Sequence, residues 1–238
     1  MLSEPKVLRE LGGTTNHSFL VANGELKAVV RINAANSVSL GIDRQRERAI
    51  LQLLQPTNAV PRVLFQNDQV LVTAFCEGQP LQLAAGSSAE KTAAVAGLLQ
   101  TIQAVEAPQL ARRNYVEYCQ AYLDQLAGPG VNSPINRQQH SHLQQTVVDA
   151  AAAIDAAPWP AVICHHDLVP ENILLTDQGP VILDWEYAAL GHPALDFMRL
   201  YQGDLSAVAE HTGLDAQSLK KLAILQRGMD DLWQLLQT

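Results

Sequence analysis

The segment Cys164-His165-His166-Asp167-Leu168-Val169-Pro170-Glu171-Asn172-Ile173-Leu174-Leu175 is the densest cluster of acid, amide and imidazole groups in the chain. Twelve residues after Asn172, the apolar run Val181-Ile182-Leu183 ends in Asp184. Two short strands joined by the turn Asp177-Gln178-Gly179 would hold Asn172 and Asp184 near one another at opposite ends of a hairpin, so that an oxygen from each can share one hard cation. Asp167, five residues before Asn172, stands at the mouth of the loop entering that hairpin. A carboxylate there can orient an incoming hydroxyl or accept its proton. This spacing coincides with the phosphoryl-transfer template, in which H-x-D-x(4)-N supplies the base and one metal ligand and a later strand-end Asp supplies the other.

Plainer readings compete. Asp167 and Asn172 both favour turns and could cap one. His165, at a strand end, reads as a brace for the loop. A transition-metal site on His165, His166 and Asp167 is disfavoured, because adjacent strand residues point to opposite faces and one metal could not easily take both imidazoles.

The elements that must position these groups fall into two unlike halves. Val7–Leu11, Ser18–Ala22 and Leu26–Ile32 alternate as strands, with Gly12-Gly13-Thr14-Thr15-Asn16 in the first turn and Asn23-Gly24 as a hairpin signal in the second. Asp43–Leu54 has helical spacing closed by Pro56, and strands Arg62–Phe65 and Gln69–Phe75 follow. The strand pattern stops at Cys76-Glu77-Gly78-Gln79-Pro80, which places a small lobe over residues 1–77 and a second over 78–238. Beyond it, Ser87 with Glu90 forms a capping box for a helix to about Val105. Further helices are expected over Tyr115–Ala127 and Gln138–Ala157, separated by Gly128-Pro129-Gly130. Short strands at Ala161–His165, Asn172–Thr176 and Val181–Leu183 precede a helical tail from Ala194, broken near Gly203 and Gly213.

The run HHDLVPENILL…VILDWEYAALGHPALDF resembles the choline kinase, thiamine kinase and aminoglycoside phosphotransferase superfamily over nearly the whole chain. The resemblance implies an α+β, protein-kinase-like bilobal fold, with a small antiparallel-sheet lobe holding ATP against a helical lobe that binds a small alcohol. It implies Asp167 as catalytic base, Asn172 and Asp184 as ligands of Mg2+, and Asp196 as a brace of the catalytic loop. Gly12, Gly13, Thr14, Thr15 and Asn16 resemble the nucleotide loop, where glycines admit the phosphates and N–H groups face them. Arg31 occupies the third-strand position at which protein kinases carry lysine, with Glu47 as its expected ion-pair partner. Arg44 and Arg46 compete with Arg31 as phosphate ligands.

Trp185, Tyr187, Tyr201 and Trp233 are core fillers by default; alternatively, aromatic faces with Glu186 surround a cation such as a quaternary ammonium. Choline is the first-choice acceptor, with thiamine or an aminoglycoside as alternatives. Asp184 is followed by Trp185-Glu186 rather than Phe-Gly, which argues against a protein kinase. A catalytically silent nucleotide-binding scaffold is the reading from another class, kept open by the compact helical half.

Composition narrows the partners. The chain has 238 residues, 47% apolar and only 17% charged, with a net charge of −8, so it can bury a core and would repel nucleic acid. Residues 1–80 carry eight Lys or Arg against seven Asp or Glu, and residues 81–238 eight against seventeen. Acidic helices favour solubility, or else one half meets an anion and the other a cation. Cys76, Cys119 and Cys164 lie more than forty residues apart and suggest reduced thiols. No uncharged apolar run approaches membrane-spanning length, so a cytoplasmic protein, monomer or homodimer, is expected.

Overall fold

A computed structural model describes residues 4–12, 15–81, 89–128 and 137–237. Five antiparallel strands, β1 (Lys6–Leu11), β2 (His17–Asn23), β3 (Leu26–Ile32), β4 (Val63–Gln66) and β5 (Val70–Ala74), form one sheet in the order β1-β2-β3-β5-β4. The β2–β3 loop is Gly24-Glu25, one residue beyond the expected pair, and only Gly24 takes positive φ (+62°), the type II′ preference. Strand alternation places Val29 and Arg31 of β3 on one face, paired with Thr73 and Leu71 of β5. Those four residues roof the cleft described below.

Helix α1 (Arg44–Leu54) starts where Asp43 accepts hydrogen bonds from the Gln45 and Arg46 amides. It buries Arg44, Glu47, Ile50, Leu51 and Leu54, a helical stripe whose apolar end enters the core and whose charged end faces β3. A single 3-10 turn, Gln55–Thr57, follows it.

In the remaining chain, β6 (Gln79–Pro80), β8 (Ile173–Thr176) and β9 (Gly179–Ile182) form one small antiparallel sheet, and β7 (Val162–Cys164) pairs with β10 (Ala189–Gly191). Around them pack α2 (Ala89–Gln103), α3 (Tyr115–Leu126), α4 (Arg137–Asp155), α5 (Ala194–Leu200), α6 (Leu205–Thr212) and α7 (Ala216–Gln237). Gly228 lets α7 approach α4: a Cβ there would lie 2.2 Å from Val147 Cγ2. Gly203 and Gly213, both at positive φ, break the tail as its sequence predicts. Ser87, Pro129 and Gly130 lie outside the described residues, so the capping box and two of the three residues of the Gly-Pro-Gly break do too. The two-residue β6 and three-residue β10 escape sequence reading because neither is long enough to show a period of two. The resulting architecture is the expected α+β, kinase-like arrangement of an antiparallel sheet beside a mainly helical half.

Candidate active site

Between the sheet and the helical half lies a cleft of about 1000 Å³. Its floor is the loop leaving β7. Asp196, in the first turn of α5 and 1% exposed, accepts the His165 amide on one oxygen (2.7 Å) and the His166 amide on the other (3.0 Å). Burial pushes its carboxyl up, against the pull of His165 and the two amides it accepts. His165 accepts the Asp167 amide at Nδ1 (3.2 Å), which leaves Nε2 to donate to the Leu183 carbonyl (2.8 Å). Its ring meets Trp185 edge-on at 4.8 Å. Asp196 and His165 thus fix the backbone from which Asp167 projects into the cleft.

Asn172 ends a 3-10 turn (Pro170–Asn172) and donates through Nδ2 to the Asp167 carbonyl (2.9 Å) and, more loosely, to Asp167 Oδ2 (3.4 Å). The Leu183 amide donates to the Asn172 carbonyl at 2.7 Å, so the β8–β9 hairpin sets Asn172 beside Asp184. Asp184 adopts the left-handed backbone region (φ +57°), and its side chain remains 39% exposed to the cleft. Desolvation within the cleft raises its carboxyl above the usual range; Arg31 opposes that, and Glu47 and Asp167 add to it.

Arg31 reaches down from the sheet. Its Nη2 donates to both Glu47 oxygens (2.6 and 2.7 Å), its Nη1 to Asp184 Oδ1 (3.2 Å) and its Nε to Asn33 Oδ1 (3.0 Å). Arg44 extends the network: Nη1 donates to Glu47 (2.9 Å) and Glu186 (3.0 Å), Nη2 to Asn16 (3.0 Å) and Ser37 (3.1 Å). Asn16 donates in turn to Glu186 Oε2 at 2.7 Å. Two guanidiniums therefore face the carboxylates of Glu47, Glu186, Asp184 and, beside them, Asp167, an excess of negative charge that a divalent cation would offset. Asn172 Oδ1 and Asp184 Oδ2 make no hydrogen bond among the described residues. Two such oxygens in an open cleft fit magnesium, which binds through one or two carboxylates together with phosphates and water. Among the described residues no group of three His, Cys, Asp or Glu forms a closed metal cage.

At the other end, the cleft is walled by Tyr118, Tyr187, Trp233, Met229 and the ion pair Arg199–Asp230. Trp233 Nε1 donates to the Tyr187 hydroxyl at 3.1 Å. Burial raises the Asp230 carboxyl; Arg199 pulls it down, and Asp167 pushes it up, so the two carboxylates share one electrostatic neighbourhood.

The sequence profile of the phosphotransferase enzyme family matches residues 7–231. The chain belongs to that family. Its fold is that of choline kinase LicA from Streptococcus pneumoniae (TM-score 0.79, 23% identity, covering 98% of this chain and 86% of that one). A Plasmodium vivax ethanolamine kinase matches with TM-score 0.76 at 17% identity, over 98% of this chain and 76% of that one. Protein LicA of Haemophilus influenzae is 46% identical over 39 residues, 16% of this chain and 15% of the Haemophilus protein.

Within this phosphotransferase, the structure brings Gly12, Thr15, Asn16, Arg31, Asp167, Asn172, Asp184, Glu186, Tyr187 and Trp233 to one cleft, and Glu47 directly behind Arg31. Gly13 and Thr14 lie outside the described residues. Trp185 departs from the expectation of an acceptor contact: it is 2% exposed, beneath His165, with Nε1 donating to the Ile182 carbonyl. The left-handed turn at Asp184, followed by the 3-10 turn Trp185–Tyr187, rotates it into the core. Glu186 lines the cleft with its carboxylate engaged by Asn16 and Arg44. Burial raises that carboxyl, with Asp184 adding to the rise. Arg44 is buried within the network, and Arg46 donates to the Ala188 carbonyl (2.8 Å) outside the cleft. Tyr201 is paired with His211 and does not line the cleft. Asp230, Arg199 and Tyr118 were not singled out by sequence; helical spacing from Trp233 is the only signal that would have reached Asp230.

Proposed function

We propose that this phosphotransferase moves the γ-phosphoryl group of magnesium-bound ATP to the hydroxyl of a small metabolite, with a choline-type amino alcohol as first candidate. The observation that carries the proposal is the convergence of Asp167, Asn172 and Asp184 on one cleft beneath Arg31. Apolar residues Val29, Leu71, Phe75 and Leu174 wall the end next to the sheet and suit a flat base. Gly12 and Thr15 line the same cleft, and phosphates would sit against them.

Bound magnesium would be held by Asn172 and Asp184 and would neutralise charge on the transferring group. The chain's own residues supply the rest. Asp167 orients the acceptor hydroxyl and takes its proton at a carboxylate oxygen as the O–P bond forms and the bond to ADP breaks. Asn172 keeps Asp167 facing the cleft. Arg31, held by Glu47, offers permanent charge toward phosphate oxygens. Tyr187, Trp233 and Asp230 fit a cationic headgroup, where each cation–π contact contributes about 0.5–2 kcal/mol.

The test is coupled ADP release from purified protein offered choline, ethanolamine, thiamine, aminoglycosides and simple sugars, with and without magnesium. Release with one acceptor class, dependent on magnesium, is expected. Asp167→Ala should lower kcat by about 10²–10⁴-fold while nucleotide binding persists. Silence with every alcohol would favour the scaffold reading, and near-normal turnover by Asp167→Ala would remove the assigned base.

A further inference from the structure

A second cavity, about 640 Å³, opens where the start of α1 meets the segment leading into α3. Its walls include Gly41, Asp43 and Arg46 from the small half, and Arg112, Arg113 and Glu117 from the large one. Three guanidiniums thus share the space with two carboxylates.

The carboxylates are otherwise engaged or exposed. Asp43 caps α1 through Oδ1 and lies only loosely against Arg46 (3.7 Å). Glu117 is exposed in the first turn of α3. Arg112 stacks on Trp159 at 3.5 Å and turns Nη2 toward carbonyls at the end of α4, the nearest being that of Asp155 (3.2 Å). Arg46 donates to the Ala188 and Gly41 carbonyls.

Arg113 is different. It is 7% exposed, Nη2 donates to the Tyr187 carbonyl (2.7 Å), and the guanidinium lies 4.2 Å from the Tyr118 ring centre. Its Nη1 is buried with no hydrogen-bond partner, and no ion pair among the described residues includes it. A buried guanidinium without a counter-ion is costly. Arg46, also largely withdrawn from water, is made a weaker base by burial and by the charge of Arg113.

We propose that this cavity at the seam of the two halves is a binding site for an oxyanion, a phosphoryl or carboxylate group held by Arg113 and Arg46. An anion there offsets the charge that Arg113 carries without a counter-ion among the described residues and relieves the repulsion between the two guanidiniums. It also ties α1, which carries Arg44 and Glu47 of the cleft network, to the segment before α3. Arg113 and Tyr118 line the catalytic cleft as well as this cavity, so the two share a wall, but the anion reading stands whether or not ATP is the donor.

The experiment is calorimetric titration of the protein with inorganic phosphate and, separately, with acetate, each against potassium chloride of equal ionic strength. Saturable binding of either anion is expected, and the two arms tell phosphoryl from carboxylate preference. Glu117→Gln removes a negative wall without touching the cleft and should tighten binding about twofold or more, the scale of one exposed charge. Arg113→Gln should weaken it at least about tenfold, the scale of a charge-assisted hydrogen bond. If Arg113→Gln does not fold, Glu117→Gln decides alone. No saturable heat with either anion overturns the proposal. So does binding that Glu117→Gln leaves unchanged, since that anion would be in the catalytic cleft.

Discussion

Arg31 commits each of its three side-chain nitrogens to an oxygen of Glu47, Asp184 or Asn33, and Glu47 beneath it has no exposed side-chain surface. Two consequences separate cleanly at this residue. Arg31→Met leaves Glu47 buried with Arg44 as its remaining partner, and breaking a buried pair from one side costs roughly 3–5 kcal/mol. The double variant Arg31→Met with Glu47→Leu replaces the pair by apolar groups and should recover most of that loss, because a buried ion pair is often no better than a well-packed hydrophobic substitute. Activity should be absent from both, since neither holds a cation over Asp184. Denaturant midpoints alongside ADP release would read the two effects. Recovery of turnover in the double variant would show that Arg31 acts only by holding Glu47, and not on phosphate.

Elements bring such residues together through close approaches, and α4 against α7 is one of them. A Cβ at Gly228 would meet Val147 Cγ2 at 2.2 Å, inside any tolerable contact. Alanine at a helical glycine ordinarily gains up to about 1 kcal/mol, whereas overpacking costs roughly 1–3 kcal/mol. The clash should win, so Gly228→Ala is expected to be destabilising. Val147→Ala added to it removes the offending methyls and should make the double variant more stable than Gly228→Ala alone, with a coupling that simple addition would not show. Unfolding curves of the four proteins check this; additive losses would mean that the helices simply move apart. Element positions of this kind were largely legible in sequence wherever a period could be counted: α1, α3 and β1–β5 lie within a residue or two of their expected spans. The spacing of Asp167, Asn172 and Asp184 was legible because one hairpin governs all three. What stayed hidden depends on turns and on distant partners. The left-handed residue at Asp184 sends Trp185 inward. Arg44 joins Asn16 and Glu186, residues far from it in sequence, and Arg113, with no ion pair among the described residues, lies at a seam that no local pattern marks.

For the whole molecule, the junction between the β7–β10 pair and the helices is held by histidines that must stay neutral. His192 is 5% exposed; its amide donates to the Tyr115 hydroxyl, its Nδ1 accepts the Ala194 amide, and its ring lies 5.1 Å from that of Trp159. Burial first, and the charge of Arg112 second, lower its pKa from the ordinary 6.5 to about 4. The unfolded chain therefore binds a proton that the folded chain refuses between those values. The stabilisation is complete above pH 6.5 and is lost as pH falls toward 4, by about 3 kcal/mol in all. His166 is depressed in the same sense by burial and by Arg113, and so adds to the acid sensitivity. The carboxyls of Asp184, Glu186 and Asp196 are raised, so they bind protons more readily when folded and oppose the trend. A single melting profile mixes these terms, and comparison with His192→Gln isolates one, since the amide oxygen can still accept from Ala194. Urea unfolding at pH 7 and pH 4.5 should show the variant losing less stability on acidification than the parent protein. Equal losses in the two would mean that His192 takes up its proton in the folded state as easily as in the unfolded chain, and acid sensitivity would then rest on His166.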